Sequence, residues 1–321
     1  MQNNLTRRTF LGTALLALPG LASLKAANSG GAMGWKLGII ADEITEDFNQ
    51  ALDFIAHYSL HYVEVRDLWQ KNIMNLPRPQ MDRAQKLLQE HRLTVTDIGS
   101  PIFKYNLPEM PVYNYERATF KAKFTDKDTE RLLLRSFELA HFFGTRKVRI
   151  FSYWRVKEPQ KAYPYVRDRL AKAAQLAGKH DILLILENEP SCNVATGEEL
   201  GQLIREVNSP NLRGNWDPAN AAMLGEVPYP NGYHHVRGLF AHMHIKDVWK
   251  DPRTGKLAWA PVGSGFVDWK GQFEALRRDH YTGDMSLETH YRRPDGNKVE
   301  STRESLMGLF RVIKEASWAP A

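Results

Sequence analysis

Long apolar runs are missing from this 321-residue sequence. No stretch reaches the roughly 18 residues that a membrane-spanning helix needs, so the folded part is expected to be soluble. Cysteine is nearly absent as well, since Cys192 stands alone. A lone thiol closes no internal disulfide, and a small buried residue is its expected role, ahead of a nucleophile. Runs of like charge are also lacking. The net charge is +6 and the pI about 9.2. Lys and Arg are nevertheless spread along the chain, which argues for a solvated basic surface and against a nucleic-acid partner. No G-x-G-x-x-G or G-x-x-x-x-G-K-[ST] follows any strand-like run, so the phosphate cradles of doubly wound folds have no support. There is no internal repeat, no low-complexity segment and no linker long enough to split domains.

The first residues read as an address. Thr6-Arg7-Arg8-Thr9-Phe10-Leu11 resembles the twin-arginine export motif. A modest apolar stretch follows to Leu24, broken by Pro19 and Gly20, and small residues stand at Ala26 and Ala27. A basic start, a short apolar region and a small-residue site describe a signal peptide over residues 1–27. The expectation is a protein exported to a bacterial periplasm by the twin-arginine machinery, which carries folded proteins and can carry a cofactor with them. A homo-oligomer is left open.

Residues 34–321 are expected to form one domain. With 43% of the chain hydrophobic, there is enough to bury a large core. Strand-like runs are read at 35–41, 62–66, 93–99, 147–151, 182–187, 212–216, 240–245 and 284–288. Amphipathic helical stretches follow most of them, with Asp268 as the expected cap of the helix read at 267–278. The run 182–187, ILLILE, is almost continuously apolar, as suits a parallel strand covered on both faces. Eight strand–helix units predict an α/β fold of the (β/α)8 TIM-barrel type. The Pro- and Tyr-containing stretch 101–115 is long for a barrel loop and is read as part of a lid.

Active sites of such barrels lie at the C-terminal ends of the strands. Glu187 ends the fifth, Asp217 the sixth and Glu288 the eighth, and His244 lies near the end of the seventh. Three carboxylates in one pocket repel one another unless a cation sits among them. An oxygen-rich set with one imidazole suits a divalent metal, Mn²⁺, Mg²⁺ or Co²⁺ first and Zn²⁺ after them. Period-two alternation puts His242 on the same face as His244, one layer deeper.

The segments Leu186-Glu187-Asn188-Glu189-Pro190, Asp217-Pro218-Ala219-Asn220, His242-Met243-His244-Ile245-Lys246-Asp247, Gly263-Ser264-Gly265-Phe266-Val267-Asp268-Trp269 and Leu287-Glu288-Thr289-His290-Tyr291 resemble motifs of the xylose-isomerase-like sugar isomerase/epimerase family. The resemblance covers about residues 35–315. It implies a metal held by Glu187, Asp217, His244 and Glu288. It also implies a sugar or keto-sugar substrate, with Glu187 and Glu288 moving a proton beside a carbonyl through a metal-stabilised ene-diolate. The same constellation can run β-elimination, as in dehydratases and keto-glycoside lyases, and a non-catalytic sugar-binding barrel is a third reading. Glu64, Arg66, Arg149, Asn220, Lys246 and His290 are expected to shape the substrate pocket, and Trp154, Trp249 and Tyr291 to stack on sugar faces. Two departures stand out. Ketose 3-epimerases carry a histidine at the position of Asn220 and a glutamate at that of Asn193, so ordinary free-ketose epimerisation fits less well. The extra histidines of endonuclease IV are missing too, which argues against a nuclease.

Overall fold

A computed structural model describes residues 35–111 and 123–317. The proposed signal peptide and residues 112–115 of the lid-like stretch lie outside the described residues. Eight parallel strands close into a barrel. They are β1 Lys36–Ile40, β2 Tyr62–Val65, β3 Thr94–Gly99, β4 Lys147–Ile150, β5 Leu183–Glu187, β6 Leu212–Trp216, β7 Phe240–Ile245 and β8 Asp284–Leu287. Closure pairs Lys36 to Ile39 of β1 with Asp284 to Leu287 of β8.

The helices of the outer ring are α1 Phe48–His57, α2 Arg78–Glu90, α3 Thr129–Phe142, α4 Pro159–Lys179, α5 Gly197–Val207, α6 Trp269–Arg278 and α7 Lys298–Ser317. After β6 two short helices, Pro218–Met223 and Tyr233–Val236, take the place of one long one. Pro218 suits the first helical position, where its missing N–H costs nothing. Helix starts follow local chemistry. Asp47 accepts from the backbone N–H of Asn49 and Gln50 at the head of α1. Thr196 and Glu199 form a reciprocal capping box on α5. Asp268 accepts from Gly271 N and is the cap expected of it, with α6 starting at Trp269, two residues later than read.

Ile39, Val63, Val148, Leu184, Leu186, Met243 and Met285 are all fully buried, so the strands supply one face to the helices and one to the barrel interior. Among the described residues no helix is long and apolar enough to cross a membrane.

Two hairpins interrupt the alternation, and neither is visible in the sequence pattern. A small one joins Asp67–Leu68 to Lys71–Asn72. A larger one, Asp247–Lys250 paired with Leu257–Ala260, leaves the barrel directly after β7.

Candidate metal centre

The ends of β5 to β8 carry the proposed ligands to one point. Glu187 is the last residue of β5, Asp217 follows β6, His244 is next to last in β7 and Glu288 follows β8. His244 Nδ1 lies 3.3 Å from Glu187 Oε1, 3.3 Å from Glu288 Oε2 and 3.9 Å from Asp217 Oδ2. One donor atom from each of the four lies within 4.8 Å of the others, and all four residues are buried.

Local hydrogen bonds aim these atoms. Asp217 Oδ1 accepts from Asn220 N at 2.8 Å and so caps the short helix that starts at Pro218, while Oδ2 remains for the cluster. Asn188 fastens Asp217 to β5 twice, donating to its carbonyl and accepting from its N–H, each at 2.8 Å. The Asn220 amide donates to Glu187 Oε1 at 3.1 Å. His244 Nε2 meets Glu64 Oε2 at 3.1 Å. A proton on that nitrogen leaves the Nδ1 lone pair facing the carboxylates, the orientation a metal ligand needs. Rotation of the adjacent Asn215 amide brings its otherwise unpartnered Oδ1 to the same nitrogen.

The field at the site is steep. Burial works against ionisation of Glu288, yet Lys246, His290 and His244 hold its carboxyl well below the usual range. Burial opposes the charge on His244 too, but Glu64, Glu187 and Glu288 raise its pKa well above the ordinary value. Burial dominates at Asp217 and pushes it up to about 6, in spite of Lys246 Nζ 2.8 Å from Oδ2. Glu187 Oε2 and Asp217 Oδ2 are buried and face cations, Arg149 Nη1 at 3.3 Å and Lys246 Nζ at 2.8 Å. Three buried carboxylates beside one imidazole form a donor set that fits a divalent cation.

The other expected pocket residues fall into layers. Glu64 and Arg149 are fully buried below the cluster, not at its mouth. Arg149 Nη1 lies 3.3 Å from Glu187 Oε2 and 3.7 Å from Glu64 Oε1. His242 is deeper still, as the alternation predicts, between Glu64, Asp97 and Ser286. Above the cluster, Arg66 bridges Glu288 Oε1 at 2.8 Å to Asp42 and Glu43 at 2.7 Å each. His290 Nε2 lies 3.3 Å from Glu288 Oε1, and Lys246 Nζ contacts Glu288 Oε2.

Three aromatic expectations need correction. Trp249 is 46% exposed on the outer side of the larger hairpin, because side chains alternate along its strand. Trp154 is buried against Phe151 and Cys192. The Tyr291 hydroxyl is turned to Glu304 on α7. Cys192 is a buried free thiol, as expected.

Sequence reasoning missed Glu43, Asn188 and Trp259. Glu43 is buried after β1, between Arg66, Arg292 and His290. The Asn193 amide donates to the carbonyls of Ser152, Tyr153 and Trp154 and accepts from Val156 N. Its role is to staple two loops.

The sequence profile of xylose isomerase-like TIM-barrel proteins matches residues 52–311. The chain belongs to this family. One curated relative, a 3-dehydroshikimate dehydratase of Bacillus anthracis, is 27% identical over 113 residues. That match spans 34% of this chain and 40% of the relative's length. Among solved structures, the IolI protein with a bound zinc atom superposes with a TM-score of 0.68 at 16% identity, over 88% of this chain and 99% of that one. The 3-keto-D-glucoside 4-epimerase YcjR of E. coli superposes with a TM-score of 0.62 at 18% identity, over 86% and 98%. At such identities the likeness shows the shared barrel.

Proposed function

We propose that the chain is a divalent-metal-dependent enzyme that abstracts a proton beside the carbonyl of a sugar or keto-sugar, in the manner of an isomerase or epimerase. The observation that carries this reading is the convergence of Glu187 Oε1, Asp217 Oδ2, His244 Nδ1 and Glu288 Oε2 in one buried cluster at the strand ends. Epimerase and dehydratase are also the activities named for proteins similar to this chain. A divalent ion held there would act as a Lewis acid toward a substrate carbonyl. Mn²⁺, Mg²⁺ and Co²⁺ suit the oxygen-rich set, and Zn²⁺ also fits it. Asn220 steadies Glu187 through Oε1, and Arg149 Nη1 at 3.3 Å from Oε2 helps keep the carboxylate ionised for taking a proton from carbon. Lys246 and His290 bring N–H donors to the same rim for substrate oxygens.

A second reading, β-elimination by a dehydratase or keto-glycoside lyase, is favoured by an asymmetry. Arg66, Lys246 and His290 all hold Glu288, whereas the cation beside Glu187 is Arg149 alone, at 3.3 Å. One less tightly paired base and a nearby cation suit loss of a leaving oxygen better than a symmetric pair of bases would.

Both readings predict exchange of a carbon-bound proton with solvent. Deuterium wash-in from D₂O, followed by NMR on 3-keto-glycosides and free ketoses, tests them together. Exchange should appear with the metal-loaded protein and fall about 10²- to 10⁴-fold in Glu187→Gln. Binding without exchange would identify a sugar-binding barrel instead. The expected signal peptide over residues 1–27 extends the proposal to a periplasmic protein that meets sugars outside the cytoplasm; its test is the cell fraction in which a tagged chain with Arg7→Lys and Arg8→Lys accumulates.

A further inference from the structure

The hairpin Asp247–Lys250/Leu257–Ala260 begins three residues after His244 and is fixed at its base. The Asp247 carboxylate is fully buried and accepts four backbone N–H bonds. Oδ1 takes those of Val248 at 2.8 Å and Val267 at 3.2 Å, and Oδ2 those of Gly263 at 2.9 Å and Gly265 at 3.1 Å. Trp269 Nε1 donates to Lys246 O at 3.1 Å. The arm is therefore a rigid extension of β7.

Its register decides which side chains look into the barrel mouth. Val248 stands opposite Trp259, and Trp249 opposite Ala258. Directly opposed residues of an antiparallel pair share a face. Val248 is fully buried, so Trp259 lies on the inner side, partly exposed, while Trp249 and Ala258 lie on the outer side. The contacts agree. Lys246 Nζ is 5.3 Å from the centroid of the Trp259 ring, and the His290 ring meets it edge-on at 4.9 Å. Both partners also touch Glu288, so the indole stands one layer above a proposed proton carrier.

We infer that Trp259 is a substrate-contacting platform that takes the apolar C–H face of a pyranoside ring whose reacting carbons lie at Glu187 and Glu288. This deepens the proposed function and rests on it for the position of the reacting carbons. An aromatic wall beside an ammonium and an imidazole offers a flat apolar surface edged with N–H donors. That is the complement of a pyranose, which has a C–H face and a rim of hydroxyls. An open-chain ketose presents no such face, so the platform selects cyclic glycosides.

The probe is methyl 3-keto-β-D-glucopyranoside, with affinity read by saturation-transfer NMR and turnover by deuterium wash-in. Trp259→Ala should weaken binding about tenfold, equal to about 1.4 kcal/mol. It should raise KM in parallel and leave kcat within about threefold. Trp259→Phe should recover most of the loss, and Trp249→Ala on the outer face should bind as wild type does. Melting temperatures establish that each variant is folded. Wild-type affinity in Trp259→Ala, equal losses in Trp249→Ala, or no binding of the glycoside by the wild type would each overturn the platform. Binding that depends on Trp259 without any exchange would uphold the platform and sink the enzymatic reading. Exchange that ignores Trp259 would do the reverse.

Discussion

Glu64 reaches His244 Nε2 at 3.1 Å, lies 3.4 Å from His242 Nε2 and faces Arg149 at 3.7 Å, with no solvent exposure. Removing one member of a buried charged group strands the others. Glu64→Gln keeps the shape but leaves the Arg149 cation with Glu187 alone. The expected cost is about 3 to 5 kcal/mol, read as a shift of the urea unfolding midpoint. A residue that merely lined the substrate pocket would cost far less. The four proposed ligands were legible because each falls at or beside the C-terminal end of a strand-like run, on four successive strands. Glu64 and Arg149 were legible as strand residues, but their depth was not, since depth depends on how the neighbouring strands stagger. Glu43 gave no signal at all. It lies in a four-residue helix, Ala41–Ile44, and only the closed barrel brings it to Arg66 and Arg292.

Among the secondary elements, the eight barrel strands were readable within a residue or two, because buried parallel strands are dense in Ile, Leu and Val. The hairpin after β7 was not. Its strands have four residues each and carry Lys250 and Ala258 on exposed positions, too short and too mixed for a period to emerge. Helix α2 offers a test of element docking. His91, at its C-terminal end, bonds Leu87 O through Nδ1 at 2.8 Å and Asp53 of α1 through Nε2 at 2.9 Å. Burial opposes its charge, but the Asp53 and Leu87 hydrogen bonds outweigh it and raise its pKa. The folded state thus binds this proton more tightly than the unfolded chain. Its contribution is complete below the unfolded value near 6.5 and is lost as pH rises through the folded one. The loss of melting temperature in His91→Gln should shrink as pH rises above about 6.5. A loss that grows over that range would refute the tether.

At the scale of the whole molecule, the barrel is one cooperative body whose polar end gathers carboxylates that repel one another. A divalent ion that binds only the folded state adds RT ln(1 + [L]/Kd), about 2.7 kcal/mol at a hundredfold excess over Kd. For a chain of this size that corresponds to a rise of about 4 °C in melting temperature. Chelator should remove the rise, and Asp217→Asn should lack it. A melting temperature indifferent to both would speak against the metal centre. The barrel itself was legible from the count and spacing of strand–helix units. The second short helical turn after β6 and the seating of α7 were not, since both answer to long-range packing. Gly308 of α7, for example, lies so close to Val262 O that an added Cβ would stand 1.8 Å from it.

The Asp247 anchor ties two distant motifs into one foundation. His244, Lys246 and Asp247 share a single short peptide, and Asp247 is gripped by the Gly-Ser-Gly turn at 263–265. An added Cβ on Gly265 would stand 2.1 Å from Asp247 Oδ1. A methyl group placed there would push on the carboxylate and, through three peptide bonds, on a proposed ligand it never touches. Damage to that turn would pass for damage to the chemistry, although its cause would be masonry.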